Sequence, residues 1–190
     1  LKGTFFKTLK LGSIYENGGA KGWKLLLNIP LPPLNAIVLS DNFLFANENG
    51  ERGIQNLIQI LESILPKTLE TDFQILIITQ EHKDKGKPWC ERKTGEIKTA
   101  LNNLHRHYNI LFEVVFSETI HKRIAISNYF TLIAEQGFAI FKTKDLKTVH
   151  EDTTIEINRI FNRIEVSEGD SVFSDASFWL QRIKDNSVSI

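Results

Sequence analysis

Three basic residues, His121, Lys122 and Arg123, open an apolar run that continues to Lys142. If the chain is a strand from His121 to Asn128, alternate side chains share a face, so His121 and Arg123 point the same way. Two residues along a strand span roughly 6–7 Å, and both side chains can then reach one phosphate-sized anion. Asn128 would add an amide donor or orient the imidazole. The spacing therefore predicts an anion-binding site, and the competing interpretation is a solvated strand end.

Four other polar residues are candidates for chemistry. Asp41 follows the apolar stretch "IVLS", and we expect it at the same sheet edge as the basic cluster, although "SDNF" also suits a turn or bulge. His105 and His107 have no carboxylate partner at metal-ligand spacing, so we predict no metal site. His82 lies among charged residues and is expected to be solvated.

Composition excludes several classes of protein. Lys plus Arg equals Asp plus Glu, 23 of each, so no overall field attracts nucleic acid or anionic membrane. The single cysteine, Cys90, excludes an internal disulfide and indicates a reducing compartment, and we expect the cytoplasm. Neither of the glycine-rich phosphate-binding motifs, G-x-x-x-x-G-K and G-x-G-x-x-G, occurs in the sequence, so no cofactor is expected. No apolar run is long enough to predict a transmembrane segment.

The apolar pattern predicts alternating strands and helices. Apolar residues three and four apart from Ile54 to Leu65 predict a helix that ends before Pro66. The full predicted order is a hairpin around Asn17-Gly18-Gly19 (1–34), a strand (35–46), the helix (54–65), a strand (72–79), a charged loop (80–96), a second helix with Thr94 as its N-cap, a strand (110–117), and a hairpin (121–142) turning at Asn128-Tyr129.

This order predicts an α/β fold in which helices flank a mixed sheet. We expect one domain over residues 1–190, with a hairpin extension (1–34), a core (35–145) and a C-terminal extension (146–190). The chain has no Met, even at position 1. A longer parent chain with a neighbouring domain or partner protein is therefore expected.

The basic cluster also carries a family resemblance. His121, Arg123 and Asn128 form the pattern H-x-R-x4-N, which resembles the H-x-K-x4-D motif of phospholipase D-like proteins. In that family the His is the nucleophile, the Lys grips phosphate and the Asp supports the site. The motif there follows a β-α-β-α-β run and begins a hairpin, which is the order predicted here. The resemblance thus implies a phospholipase D-like fold.

A narrower resemblance covers the stretch "HKRIAISNYFTLIAEQGFAIF". It is similar to the phospholipase D-like domain found behind microtubule-interacting-and-trafficking domains, where a His-x-Arg strand, an Asn turn and a glycine followed by a large apolar residue recur. Gly137, Phe138 and Phe141 match the later positions. That family is associated with phosphoinositide or membrane binding rather than with turnover.

The departures from the catalytic motif favour binding over catalysis. Arg keeps the charge that grips phosphate, but the neutral Asn128 holds a nucleophilic imidazole less well than a carboxylate does. Only one motif copy is present, where the catalytic family pairs two. The resemblance implies a phosphorylated ligand, a lipid headgroup or a nucleic-acid backbone, held by His121, Arg123, Asn128 and Asp41. The alternatives are a homodimeric, metal-independent phosphodiesterase or nuclease that uses His121 of each subunit, and a protein-interaction scaffold.

Overall fold

A computed structural model describes residues 7–10, 22–28, 34–45, 51–118, 122–135, 137–141 and 154–159. Within these residues, seven strands form one mixed sheet in the order β1-β7-β6-β5-β2-β3-β4. The strands are β1 (Lys7–Lys10), β2 (Ala36–Ser40), β3 (Phe73–Thr79), β4 (Ile110–Phe116), β5 (Ile124–Ser127), β6 (Phe130–Ala134) and β7 (Thr154–Arg159), and the two α-helices are α1 (Glu51–Ile64) and α2 (Gly86–Asn102).

The sheet has a parallel half and an antiparallel half. β2, β3 and β4 are parallel, and α1 and α2 provide their crossover connections. β5 pairs antiparallel with β2, and β6, β7 and β1 continue antiparallel beyond it. This arrangement confirms the predicted α/β fold with a mixed sheet.

The apolar pattern of the sequence explains the central strands. The run over β3 is buried at six of its seven positions, as expected for a parallel strand covered on both faces. Alternate residues such as Ile37 and Leu39 join the main core with both helices, whereas Val38 packs with Leu76 and Ile78 on the opposite face. The strand period of two therefore divides the apolar residues between two packed layers.

Helix α1 has the predicted apolar face. Ile54, Leu57 and Leu61 are buried on it, and the helix ends just before Pro66, as expected. Gly53 lies against the turn after β2, and a Cβ there would overlap the carbonyl oxygen of Leu44. The helix can approach that turn so closely only because residue 53 has no side chain.

The predicted N-terminal hairpin was wrong in its second arm. Gly22–Asn28 is a 3-10 helix, and β1 pairs with β7 instead. Trp23 and Leu26 are buried three residues apart, the repeat of a 3-10 helix rather than of a strand. Trp23 is also anchored to α1, because its Nε1–H donates to Asn56 Oδ1 at 3.1 Å. The Asn17-Gly18-Gly19 turn lies outside the described residues.

Helix α2 begins nine residues earlier than predicted, because its N-cap is Lys85 instead of Thr94. The stretch predicted as a charged loop is helical from Gly86, so Thr94 is not an N-cap; its hydroxyl donates to the Cys90 carbonyl one turn back. Lys93 is only 6% exposed and sits within 2.6 Å of both Glu51 and Glu96. Carboxylates from α1 and α2 thus neutralise a charge that suggested a loop.

Both predicted extensions contribute to this sheet. β1 comes from the segment 1–34, and β7 comes from the segment 146–190 and pairs with β6. The sheet therefore extends beyond the 35–145 core on both sides in sequence. None of the helices described is long and apolar enough to cross a membrane.

Candidate functional site

Arg123 lies at the edge of the sheet where the parallel strands end. β5 begins at Ile124, three residues later than predicted. Arg123 therefore precedes the strand, and the alternation of side chains along β5 does not determine which way the Arg123 side chain points. Backbone contacts fix its position: the carbonyl of Arg123 accepts the N–H of Ala134 at 3.2 Å, and that of Lys122 accepts the hydroxyl of Ser40 at 3.0 Å. His121 lies outside the described residues.

The guanidinium of Arg123 is held in one orientation. Its Nη1 donates to the carbonyl of Glu135 at 2.8 Å. Its Cζ lies 5.1 Å from the ring centroid of Phe43, within cation–π range. Among the described residues these are its only hydrogen-bond and cation–π partners, so this part of the chain engages one of its five N–H donors. The sequence analysis did not predict Phe43 or Glu135 as part of the site. Only Phe43 could have been found from the sequence, because it lies two residues after Asp41.

Asp41 lies at the predicted edge, but it is buried behind the surface. It is 1% exposed, and its carboxylate accepts the N–H of Phe43 at 2.9 Å and that of Phe138 at 2.6 Å. Burial raises the pKa of Asp41 above its ordinary value, while the two backbone N–H groups and the charge of Arg123 oppose that rise. Asp41 therefore ties the chain after β6 to the end of β2, beside Arg123.

Gly137 lies next to both the Asp41 carboxylate and the Arg123 side chain. Its φ is +88°, in the left-handed region that favours glycine. A Cβ at this position would lie 2.9 Å from Oδ2 of Asp41 and 3.4 Å from Cδ of Arg123. The glycine of the family pattern thus allows the carboxylate and the guanidinium to approach the same segment.

Asn128 lies at the opposite end of β5. Its Oδ1 accepts the backbone N–H groups of Asn35 and Ala36, at 3.2 and 2.9 Å, where β2 begins. The five residue-to-residue steps from Arg123 to Asn128 cover roughly 16 Å along β5, which pairs antiparallel with β2. The structure therefore does not bring Asn128 to Arg123, contrary to the predicted convergence on one anion.

The other candidate residues do not join this site. His105 and His107 are exposed in the turn after α2, and no described group of His, Cys, Asp and Glu side chains is arranged to hold a metal ion. His82 is buried rather than solvated.

The arrangement at the edge can hold an anion. Arg123 supplies a fixed positive charge with N–H donors, and a guanidinium can bind two phosphate oxygens at once. The carboxylate of Asp41 is engaged by backbone N–H groups and is positioned to organise the segment around Arg123.

Comparison with known proteins agrees with this fold. Residues 28–163 match the family described as the phospholipase D-like domain at the C-terminus of MIT. The match covers most of the chain, and the chain therefore belongs to this family. No curated protein matched.

Two solved structures share distant similarity. One is TrmBL2, an archaeal chromatin protein whose structure shows a novel mode of DNA binding (TM-score 0.35, 11% identity, 97% of this chain and 52% of that one). The other is polyphosphate kinase from Porphyromonas gingivalis (TM-score 0.36, 10% identity, 87% of this chain and 26% of that one). The chain thus spans about half of the first protein and about a quarter of the second.

Proposed function

We propose that this domain is a degenerate phospholipase D-like module that binds a phosphorylated ligand without turning it over. The observation that carries the proposal is the orientation of Arg123, held by the Glu135 carbonyl and the Phe43 ring at the sheet edge. A phosphoryl group is the ligand that matches a fixed, planar set of N–H donors with a positive charge. His121, two residues before Arg123, is proposed as a second donor.

The surroundings of Arg123 support binding through preorganisation. A long, free side chain loses rotamer entropy when a ligand fixes it, and this loss weakens binding. Here the Glu135 carbonyl already fixes the guanidinium, while the buried Asp41 and Gly137 keep the supporting segment in place. Less entropy is therefore lost on binding.

The proposed lack of turnover rests on Asn128. In the catalytic motif a carboxylate occupies this position, whereas here a neutral amide is bonded to the start of β2. We propose a lipid headgroup as the ligand, because the exposed Phe43 ring, at 44% exposure, adjoins the guanidinium and could contact the apolar part of a membrane interface. We further propose a cytoplasmic location, a neighbouring domain of the MIT type and a homodimer.

The test is a binding assay with vesicles and matched variants. The chain is sedimented with vesicles of phosphatidylcholine alone and with vesicles that also contain a phosphoinositide, and a single-stranded oligonucleotide is titrated in parallel. We expect binding to the phosphoinositide vesicles that weakens with salt. Arg123→Ala should weaken it about 10- to 100-fold, since hydrogen bonds to a charged group are lost. Arg123→Lys should give an intermediate loss, because charge remains but the planar fork does not.

The control variant is Arg92→Ala, which removes the same charge from an exposed position on α2. Equal losses for the two alanine variants would attribute binding to overall charge and refute the proposed site. Preferential binding of the oligonucleotide would replace the lipid by a nucleic-acid backbone. Release of an alcohol together with a phosphomonoester over time, abolished by His121→Ala, would establish the phosphodiesterase instead. Dimerisation without any ligand response would favour the scaffold.

A further inference from the structure

Strand β4 forms one edge of the described sheet, and its sequence is typical of an interior strand. It pairs with β3 on one side, and no described strand pairs with its other side. Six of its seven residues, "ILFEVVF", are apolar, yet none of the seven is fully buried, whereas six of the seven residues of β3 are. Leu111 is 50% exposed. A long apolar strand at an open edge is a template for pairing with a further strand.

The opposite edge of the described sheet has features that oppose such pairing. β1 has only four residues, and its sequence, "KTLK", has a lysine at each end. Short edge strands and lysines are the usual protection against pairing between sheets. β4 lacks both, and it matches β3 residue for residue without a bulge. Its one charged residue is Glu113.

The hydrogen bonds to β3 show which backbone groups of β4 point towards the open edge. The N–H of Ser117 donates to the carbonyl of Thr79 at 2.9 Å. At the other end, the carbonyl of Asn109 accepts the N–H of Phe73 at 2.9 Å. The odd-numbered residues therefore bond to β3, and because the direction alternates along a strand, the even-numbered ones point their N–H and C=O groups away from it. The outward groups belong to Ile110, Phe112, Val114 and Phe116.

We propose that β4 pairs antiparallel with β4 of a second copy of this chain, across a two-fold axis at Val114. In this register the outward groups of Val114 face those of Val114 of the partner subunit. Phe112 likewise faces Phe116 of the partner subunit, and the symmetric pair repeats this contact. Residues opposite each other in this way exchange two N–H···O bonds per pair. The two sheets thus become one continuous sheet.

The side chains of β4 favour this self-pairing. With the axis at Val114, Glu113 lies opposite Val115 of the partner subunit. An axis at Glu113 would instead place the two carboxylates directly opposite each other, which is destabilising. The opposed Phe112 and Phe116 form an aromatic cross-strand pair, which is favourable. Lys plus Arg equals Asp plus Glu, 23 of each, so two copies do not repel each other through net charge.

This interface leaves the two Arg123 sites separate. Arg123 adjoins β2 and β5, so β3 and β4 of both copies lie between the two sites. Five strand spacings amount to roughly 24 Å, and one phosphoryl group cannot contact both guanidinium groups. The inference specifies the homodimer proposed above, and it does not rest on the phosphorylated ligand. Arg123→Ala should therefore dimerise like the wild type, and loss of dimerisation should leave vesicle binding by each subunit in place.

The first experiment measures the mass of the full chain by sedimentation over a range of concentrations. We expect a reversible dimer that forms as the concentration rises, since a single pair of strands is a small interface. Val114→Pro removes the N–H at the axis, which points away from β3, so the subunit should fold and remain monomeric. Val114→Thr keeps the N–H and a β-branched side chain and should dimerise. Leu27→Ser removes an exposed apolar side chain outside β4 and should also dimerise.

Two results would contradict the proposal. A wild type that stays monomeric would leave the edge to a strand of another protein, and a Val114→Pro protein that dimerises as Val114→Thr does would place the interface elsewhere. Circular dichroism checks that each variant is folded. Vesicle binding is measured on the same samples, so that a failure of the dimer and a failure of the proposed function are recorded separately.

Cross-linking decides if Val114→Pro does not fold. In the proposed register the two cysteines of Val114→Cys lie opposite each other with Cα atoms about 5.5 Å apart, so a short thiol-specific cross-linker should yield a covalent dimer. Leu111→Cys is the control, because its two cysteines would be six residues apart along the strands, roughly 20 Å. Cys90 is fully buried, so the wild type should not be linked. Equal linking of the two cysteine variants would indicate random collision and refute the register.

Discussion

Replacing Gly137 with alanine should damage both the stability of the fold and the site around Arg123. Residue 137 has φ +88°, and an L-residue in the left-handed region costs roughly 1–2 kcal/mol. The new Cβ would also lie 2.9 Å from Oδ2 of Asp41, closer than side-chain carbons normally come. That oxygen is buried and accepts the Phe138 N–H, so it cannot move without weakening this bond.

The two effects give the expected magnitude. A hydrogen bond to a charged group is worth roughly 1.5–3 kcal/mol, and part of it is lost when Asp41 shifts. We therefore expect Gly137→Ala to lower the free energy of unfolding by roughly 2–4 kcal/mol. The Cβ would also stand 3.4 Å from Cδ of Arg123, so phosphoinositide-vesicle binding should weaken in the fraction that remains folded.

Urea unfolding followed by circular dichroism measures the change, with Gly95→Ala as the matched control. Gly95 is inside α2 and a Cβ there meets nothing within 4 Å, so alanine should stabilise the helix by roughly 0.5–1 kcal/mol. Opposite signs for the two variants would support the steric account. A Gly137→Ala protein as stable as the wild type, or both variants destabilised alike, would refute it.

Two further predictions concern Asn128 and Asp41. Asn128→Ala leaves the N–H groups of Asn35 and Ala36 without their acceptor, so it should lower the free energy of unfolding in urea by roughly 1–3 kcal/mol. The affinity for phosphoinositide vesicles should not change. A loss of affinity without a loss of stability would show that Asn128 belongs to the binding site. Burial raises the pKa of Asp41 from 3.8, so its contribution to stability is fully present below pH 3.8 and is lost as the pH rises through the raised value. Asp41→Asn removes this dependence, and the wild type should gain stability relative to the variant as urea titrations move from neutral pH towards pH 3.8; a constant difference would contradict the raised pKa.

Local sequence patterns predicted most of the central elements. The spacing of apolar residues predicted α1, and the continuous apolar run predicted β3, because burial on one helix face or on both strand faces leaves a periodic signal. The turn at Asn128-Tyr129 joins β5 and β6 as expected. Where neighbouring side chains alone set the pattern, the prediction was confirmed.

The errors occurred where distant residues decide local structure. Gly22–Asn28 is a 3-10 helix because Trp23 and Leu26 pack against α1, far along the chain. α2 begins at Gly86, within a stretch whose many charged residues are typical of a loop. Lys93 in this stretch is buried because Glu51 of α1 pairs with its charge. The sequence around Trp23 does not identify α1 as its partner, and the sequence around Lys93 does not identify Glu51.

The candidate site likewise has features that the local sequence determines and features that depend on distant residues. The sequence by itself determined that a basic residue of a phosphate-binding type precedes a hairpin and that a glycine with a large apolar neighbour follows, because residue types and short spacings carry that information. Only the tertiary structure decided that Asp41 and Gly137 lie beside Arg123 while Asn128 lies at the far end of β5. The reason is physical: strand direction and pairing determine which strand ends meet, and the four residues of β5 separate Arg123 from Asn128, although the two lie close together in the motif.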